Sequence, residues 1–97
     1  MHNRQTPDAE AIAVAALGFI AGDPDLLGRF LALSGIDVGS IRAAAREPGF
    51  LAGVLAFIAA HEPTLVAFCA ASAIEAPEVM RAMRALPGGE AAWEGST

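Results

Sequence analysis

Carboxylates are the most numerous side chains in this chain that could do acid–base chemistry. Glycosidase-like hydrolysis needs two of them across a cleft, with pKa values that lie well apart. Six of the acids instead come at or near the predicted starts of helices: Asp23, Asp25, Asp37, Glu62, Glu75 and Glu78. Acidic side chains there accept hydrogen bonds from free backbone N–H groups and favour the positive end of the helix dipole. We therefore interpret them as helix caps and predict no catalytic residue and no enzyme.

His61 and Cys69 are the candidates for nucleophilic or metal chemistry. A general base needs a nucleophile and an orienting partner, and local spacing places neither a serine nor a cysteine beside His61. A zinc site needs about four ligands, and His2, His61 and Cys69 lack the spacing of a metal motif. We expect His61 to end the fourth helix and Cys69 to be a small buried hydrophobe. We therefore expect no metal and no cofactor.

All six basic residues are arginines, and four of them come in pairs at helical spacing. Arg42 and Arg46 would lie one turn apart on a third helix, and Arg81 and Arg84 likewise on a sixth. Such pairs are typical of solvated faces near helix C-termini, where cations are favoured. The alternative is a docking surface for an acidic partner. Trp93, the only tryptophan, either folds back onto the core or is an exposed anchor of a protein interface.

Alanine richness and the placing of proline predict an all-α fold, because alanine is the best helix former and proline suits the first helical turn. Five prolines precede apolar, periodic stretches, and Thr6, Asp23, Glu47 and Glu62 come just before four of them. The predicted helices span 7–21, 24–34, 38–46, 48–60, 63–73 and 77–86. Asp37 would cap the third, and Gly22 and Gly35 stand where C-terminal glycines are expected.

For three of these helices the residue pattern predicts which side chains are buried. The second is expected to bury Leu26, Leu27, Phe30, Leu31 and Leu33. The fourth is apolar nearly all round, which is typical of a central, surrounded helix. The sixth is amphipathic, with its apolar side at Val79, Met83 and Leu86 and its arginines away from it.

Two similar stretches of sequence follow one another along the chain. Similar stretches recur in the same order with an offset of 38 or 39 residues: 17–21 with 55–59, 23–27 with 62–66, and 36–37 with 74–75. An internal repeat of this length indicates one supersecondary unit used twice, each copy burying the other's apolar face. We predict two tandem three-helix repeats, over about 11–46 and 49–84, in one domain over 1–97 with a tail over 87–97. The two arginine pairs would then be equivalent patches.

Three stretches resemble a known family: Ala16–Ala21, Asp23–Gly35 and Arg46–Leu51. They are similar to a family of small uncharacterised bacterial proteins, known as a domain of unknown function and found mainly in alphaproteobacteria. The resemblance covers nearly the whole chain. It implies a compact helical cytoplasmic protein and supplies no activity, substrate or functional residue.

Composition and charge exclude several classes of partner. The net charge is −5, and an acidic domain is repelled by nucleic acid and by anionic membranes. A membrane span needs roughly 20 apolar residues, and each apolar run here is broken by a charge or a proline. Asp8 and Glu10 interrupt the basic start that a signal peptide would need. We therefore expect a cytoplasmic protein.

Three function classes remain after these exclusions. The first is a non-enzymatic interaction or accessory module that binds another protein or itself. The second is nucleic-acid binding, because residues 34–42 faintly resemble a helix-turn-helix corner with the third helix as recognition helix; the acidic charge and Asp37 oppose it. The third is a carrier of a small apolar ligand between the helices. The residues favour the first.

Overall fold

The computed structural model describes residues 8–88. Over this range it contains six α-helices, a short 3-10 turn at Val38–Ser40 and no β-strand. The helices are α1 (Ala9–Ala21), α2 (Pro24–Ser34), α3 (Ile41–Ala44), α4 (Phe50–Ala59), α5 (Glu62–Ser72) and α6 (Ala76–Ala85). The predicted all-α fold is confirmed. The predicted Thr6 cap and most of the tail lie outside the described residues.

Helices α1, α4 and α6 pack against one another and form the core. Each of them buries alanine: Ala13 and Ala16 in α1, Ala52 in α4 and Ala82 in α6. Since the distance between packed helices depends on the side chains at the contact, alanines allow a close approach. Larger apolar side chains fill the space around them: Ile12, Ile20, Val54, Leu55, Ile58, Val79 and Met83.

Helices α2 and α5 leave this core at two similar corners. The chain bends by 112° between α1 and α2 and by 109° between α4 and α5. A proline stands in the first turn of each outgoing helix, where its missing N–H costs nothing. The Asp23 carboxylate accepts hydrogen bonds from the backbone N–H groups of Asp25 (3.0 Å) and Leu26 (3.3 Å). The predicted cap at Asp23 is confirmed.

Each outgoing helix packs a phenylalanine onto the core helix of the other half. Phe30 of α2 lies edge-on against Phe57 of α4, with ring centroids 5.4 Å apart. Phe68 of α5 lies edge-on against Phe19 of α1, with centroids 5.5 Å apart. Phe30 and Phe68 are 38 positions apart, and so are Phe19 and Phe57. The two aromatic contacts are therefore reciprocal across the two halves.

The third helix is shorter than predicted. The range 38–46 divides into the 3-10 turn and a four-residue α3, and α3 packs mainly on that turn. Asp37 accepts from Ser40 through its backbone carbonyl (2.8 Å), while its side chain caps nothing. Short helices depend on the burial of an apolar face, and only Ile41 and Ala44 of α3 are even partly buried. Helix α6, by contrast, packs on both α1 and α4.

The start of α4 also differs from the prediction. The helix begins at Phe50 rather than 48, and Gly49 precedes it with φ of +93°, a left-handed conformation that suits glycine. Pro87 and Gly88 lie directly against Gly49. A Cβ built on Gly88 would lie 2.9 Å from the Gly49 Cα. This contact holds Gly88 beside the start of α4.

Burial agrees with the sequence in α6 and in part in α2. Val79, Met83 and Leu86 are buried as predicted. In α2, Leu26 and Phe30 are buried, and Leu27 and Leu31 partly so. Leu33, however, is 76% exposed, so its predicted burial is wrong.

We predict opposite effects of glycine–alanine exchange at the ends of α2 and α5. Gly35 and Ala73 end these helices with φ of +75° and +61°. A left-handed conformation costs an L-residue about 1–2 kcal/mol, part of which the added flexibility of glycine offsets. Ala73→Gly is therefore expected to raise the free energy of unfolding in urea by about 0.5–1 kcal/mol, and Gly35→Ala to lower it similarly.

Gly18→Ala is the matched control for this pair. Gly18 lies within α1, and a Cβ there meets nothing within 4 Å. This substitution should stabilise the protein, because a right-handed helix favours alanine over glycine. A lower stability for Ala73→Gly would contradict the prediction.

Candidate functional site

The structure separates the arginines that the sequence paired. Arg42 lies in α3 and is exposed, while Arg46 is also exposed but lies two residues beyond the end of α3. Because α3 ends at Ala44, the prediction that both lie on one helix is wrong. Arg81 and Arg84 are exposed on α6 as predicted. Trp93 lies outside the described residues.

The remaining acids near helix starts have mixed roles. At α6, the Glu78 carboxylate accepts a hydrogen bond from the Glu75 backbone N–H at 3.0 Å, which forms a capping box. Glu62 is the first residue of α5 rather than its cap. Glu47 precedes a turn, not a helix. Capping thus accounts for Glu75 and Glu78 but not for Glu47.

His61 lies in the corner between α4 and α5. Helix α4 ends at Ala59, and His61 is the residue that precedes α5, so its predicted place at the end of the fourth helix is wrong. Its Nδ1 lies 2.7 Å from the Oγ1 of Thr64, which is buried. This hydrogen bond holds the ring in one orientation. Nε2 is therefore the ring nitrogen free to meet a ligand.

A groove of about 610 Å³ runs between α2 and α4. Its α4 side consists mainly of small residues at helical spacing, namely Gly49, Gly53, Ala56 and Ala60. Its α2 side carries the exposed Leu33. The groove is thus a shallow apolar channel that follows α4 for almost its whole length. We call it the α2–α4 groove.

Three aromatic rings form the floor of the α2–α4 groove. Phe30 lies edge-on against both Phe50 and Phe57, with ring centroids 6.0 Å and 5.4 Å away. Phe30 and Phe50 are buried, and Phe57 is partly exposed. Edge-to-face contacts are favourable and directional, so the floor is a preformed surface. A further aromatic ring could pack on it.

Two nitrogen-bearing side chains border one end of the same groove. The guanidinium carbon of Arg29 lies 6.0 Å from the centroid of the Phe57 ring, within the range of a cation–π contact. His61, the residue after Ala60, also lines the groove. No acidic residue lines this groove among residues 8–88, although the chain as a whole carries −5. Its rim therefore favours an acidic ligand.

A second groove, of about 760 Å³, lies between α5 and the start of α6. Its apolar lining includes Leu65 and Ile74, and Val66 on it is 59% exposed. Glu62 and Glu75 border it. Its rim thus has the opposite charge to that of the α2–α4 groove.

Comparison with known proteins gives a family and nothing finer. The profile of a family described as a protein of unknown function, DUF3572, matches residues 6–89. The chain belongs to the DUF3572 family. Neither a curated protein nor a solved structure matches this DUF3572 protein. The functional argument therefore depends on its own geometry.

Two other properties of this DUF3572 protein follow from residues 8–88. No three or more His, Cys, Asp or Glu side chains in that range are grouped so as to hold a metal ion. No single helix there has the length and apolarity to cross a membrane. Two pairs of consecutive helices, α1 with α2 and α4 with α5, reach that length and apolarity only when each pair is taken together, and each pair is sharply bent.

The α2–α4 groove is not among the features that the sequence predicts. The sequence pattern assigns no function to Arg29 or Phe57, and the small residues of α4 belong to a helix that is apolar nearly all round. The available signal was that Gly49, Gly53, Ala56 and Ala60 share one face of α4. A helix that is apolar on every face can still have one face that no other element packs against.

We predict that the Cys69 thiol reacts slowly. Partial burial, and then the nearby Glu75 and Glu78 carboxylates, raise the pKa of this thiol. The thiolate is the reactive form, so less of it is present at a given pH than in the unfolded chain. Rates of alkylation by iodoacetamide, measured against pH, should show a higher midpoint for folded than for urea-unfolded protein. An equal or lower midpoint would contradict this.

Proposed function

We propose that this DUF3572 protein is a non-enzymatic interaction module that binds a segment of another protein in the α2–α4 groove. The observation that carries the proposal is an apolar channel with an aromatic floor and a nitrogen-bearing rim on an otherwise acidic protein. Exposed apolar surface rimmed by polar groups is typical of interaction sites. The 76% exposed Leu33 at its edge gives a partner an apolar contact.

The shape of the groove favours a peptide segment as the partner. Amphipathic helices bind in open apolar grooves through anchors spaced three or four residues apart. Gly53 and Ala56 keep the α4 side low, so that a partner backbone can approach closely. Phe30, Phe50 and Phe57 supply the apolar contacts that dominate such interfaces.

The rim determines the charge that the partner should carry. Arg29 presents a fixed positive charge beside the Phe57 ring. His61 presents its Nε2 to a ligand, since Nδ1 is engaged by Thr64, and Nε2 donates when the Thr64 hydroxyl donates to Nδ1. We therefore expect a partner with aromatic or aliphatic anchors next to Asp or Glu. Arg42, Arg46, Arg81 and Arg84 remain a proposed second contact surface for acidic residues.

A carrier of a small ligand is the second candidate, because the same groove lies within the roughly 300–1,000 Å³ of small-molecule sites. Its ligand would be an apolar acid, with the carboxylate at Arg29 and the apolar part on the aromatic floor. Mass spectrometry of native protein would detect such a ligand. Nucleic-acid binding has less support, because α3, its recognition helix, has four residues.

We also propose that the two halves are structural repeats related by a pseudo-twofold axis. The two corners of 112° and 109° and the reciprocal pairs Phe30–Phe57 and Phe19–Phe68 support this. The short α3 marks where the halves differ. An alphaproteobacterial origin and a cytoplasmic location are further proposals, which rest on the sequence.

The test is capture of a partner by variants that fill the groove. Gly53 lines the groove and a Cβ there meets nothing within 4 Å, so the side chain of Gly53→Leu starts in the open space of the groove. Tagged wild-type protein is expected to retain a stoichiometric protein from nuclease-treated native lysate at moderate salt. Gly53→Leu is expected to lose it.

Gly18→Leu is the matched control, because Gly18 is likewise helical with open space at its Cβ, and it does not line the groove. It should capture the same protein as the wild type. Equal capture by all three proteins would contradict the proposal, as would binding that appears only when nuclease is omitted. Thermal unfolding of each variant checks that it is folded.

A further inference from the structure

We propose that the α2–α4 groove of one copy of this chain binds helix α5 of a second copy. The contact is made by the α5 outer face, which consists of Pro63, Val66, Ala67, Ala70 and Ala71. This inference rests on the proposed function, because it requires the groove to bind a helical segment, and it names one such segment. An apolar exposed helix face, a complementary charge and a matching length carry it.

Helix α5 is apolar on its exposed side. Every exposed residue between Glu62 and Ser72 has an apolar side chain, and Val66 is 59% exposed. The solvent side of a surface helix ordinarily carries charged and polar residues, as α6 does with Arg81 and Arg84. An apolar outer face is typical of a helix that another molecule covers.

Helix α5 does not occupy the groove of its own chain. It packs on α4, and Phe68 holds it against Phe19 of α1. The chain bends by 109° between α4 and α5, and no residue of α5 lines the α2–α4 groove. A contact between the α5 outer face and this groove is therefore made between two molecules.

The charges of the two surfaces are complementary. Helix α5 carries one charged side chain, Glu62, which is exposed at its first position. Among residues 8–88, Arg29 is the one permanently charged side chain that lines the α2–α4 groove. The other groove is bordered by Glu62 and Glu75 and would repel the start of α5. Charge thus favours the α2–α4 groove as the site that receives α5.

The lengths match when α5 lies antiparallel to α4 of the second copy. Glu62 then lies beside Arg29 at the Phe57 end of the groove. From Glu62 to Ala70 is about 12 Å along a helix, and from Phe57 back to Gly49 is the same distance. The exposed length of α5 therefore covers the groove from one end to the other.

Small residues on both surfaces allow these two helices to approach closely. The α4 side of the groove carries Gly53 and Ala56, and the α5 outer face presents Ala67 and Ala70. The distance between packed helices depends on the side chains at their contact. Val66, the largest side chain of the α5 outer face, is the anchor that would lie on the aromatic floor.

Sedimentation of purified protein measures this self-association. The weight-average mass of the wild type is expected to rise above that of the monomer as concentration increases. Gly53→Leu, which adds a side chain in the groove, and Val66→Arg, which adds a charge to the α5 outer face, should each raise the Kd of self-association about tenfold or more. A reductant in every sample prevents a disulfide between Cys69 side chains from adding to the mass.

Two substitutions elsewhere are the matched controls. Val14 is a valine of α1 with nearly the same exposure as Val66, at 55%, and lines neither groove. Val14→Arg and Gly18→Leu are expected to leave self-association at the wild-type value. Circular dichroism of each variant checks that a change in mass is not unfolding.

A mixture of the two defective variants tests whether the two surfaces meet each other. Gly53→Leu keeps an intact α5 outer face, and Val66→Arg keeps an intact groove. Because the contact joins two different surfaces, an equimolar mixture is expected to form a one-to-one complex although neither variant associates alone. Absence of this complex would overturn the proposal.

A charge exchange tests the ion pair. Arg29→Glu and Glu62→Arg are each expected to raise the Kd about two- to fivefold, and the double variant to restore it. Glu10→Arg, which changes an exposed acid in the first turn of α1, should have no effect. Additive weakening in the double variant would contradict the pairing.

Two further results would overturn the proposal. One is a wild-type protein that stays monomeric at every concentration, and the other is self-association that Val66→Arg leaves unchanged. Val66→Arg also separates this inference from the proposed function, because its groove is intact. It is expected to lose self-association and still capture the partner from lysate, whereas failure of the proposed function would abolish capture in the wild type as well.

Discussion

The edge-to-face contact between Phe30 and Phe57 fixes how α2 lies against α4, and the groove between them exists because of it. Phe50 extends the same aromatic floor towards Gly49. Without this contact α2 would keep its packing on α1 and the contact of Phe30 with Phe50, and its position along α4 would be less constrained.

The core beneath makes that contact possible. Buried alanines let α1, α4 and α6 pack closely, and the corners of 112° and 109° then send α2 and α5 outwards. Phe68 packs on Phe19 as Phe30 packs on Phe57. Each outgoing helix therefore leaves a groove beside it, one rimmed by Arg29 and His61 and the other by Glu62 and Glu75. The two grooves thus have rims of opposite charge.

Local signals were sufficient to predict most of the fold. Asp23-Pro24 set the start of α2, and the amphipathic pattern of α6 placed Val79 and Met83 in the core. The predictions were wrong where local preference and packing disagree. Helix α3 ends early because it lacks a core helix to pack on, and Leu33 is exposed although Leu31 and Ile36 on either side of it pack against the core.

The α2–α4 groove could not be read from the sequence for a related reason. Phe30 and Phe57 are 27 positions apart, and no periodicity relates residues of different helices. The contact of Gly88 with Gly49 is likewise long-range, and both glycines are left-handed. What the sequence did single out was Trp93, as either a core contact or an anchor.

The central claim is that the α2–α4 groove binds a segment of another protein, and backbone amide NMR of the protein with and without its captured partner tests it most directly. The account predicts that the largest chemical-shift differences fall on Gly53, Phe57 and Arg29, which line the groove. Differences confined to the cavity at Glu10 and Ala45 would contradict it.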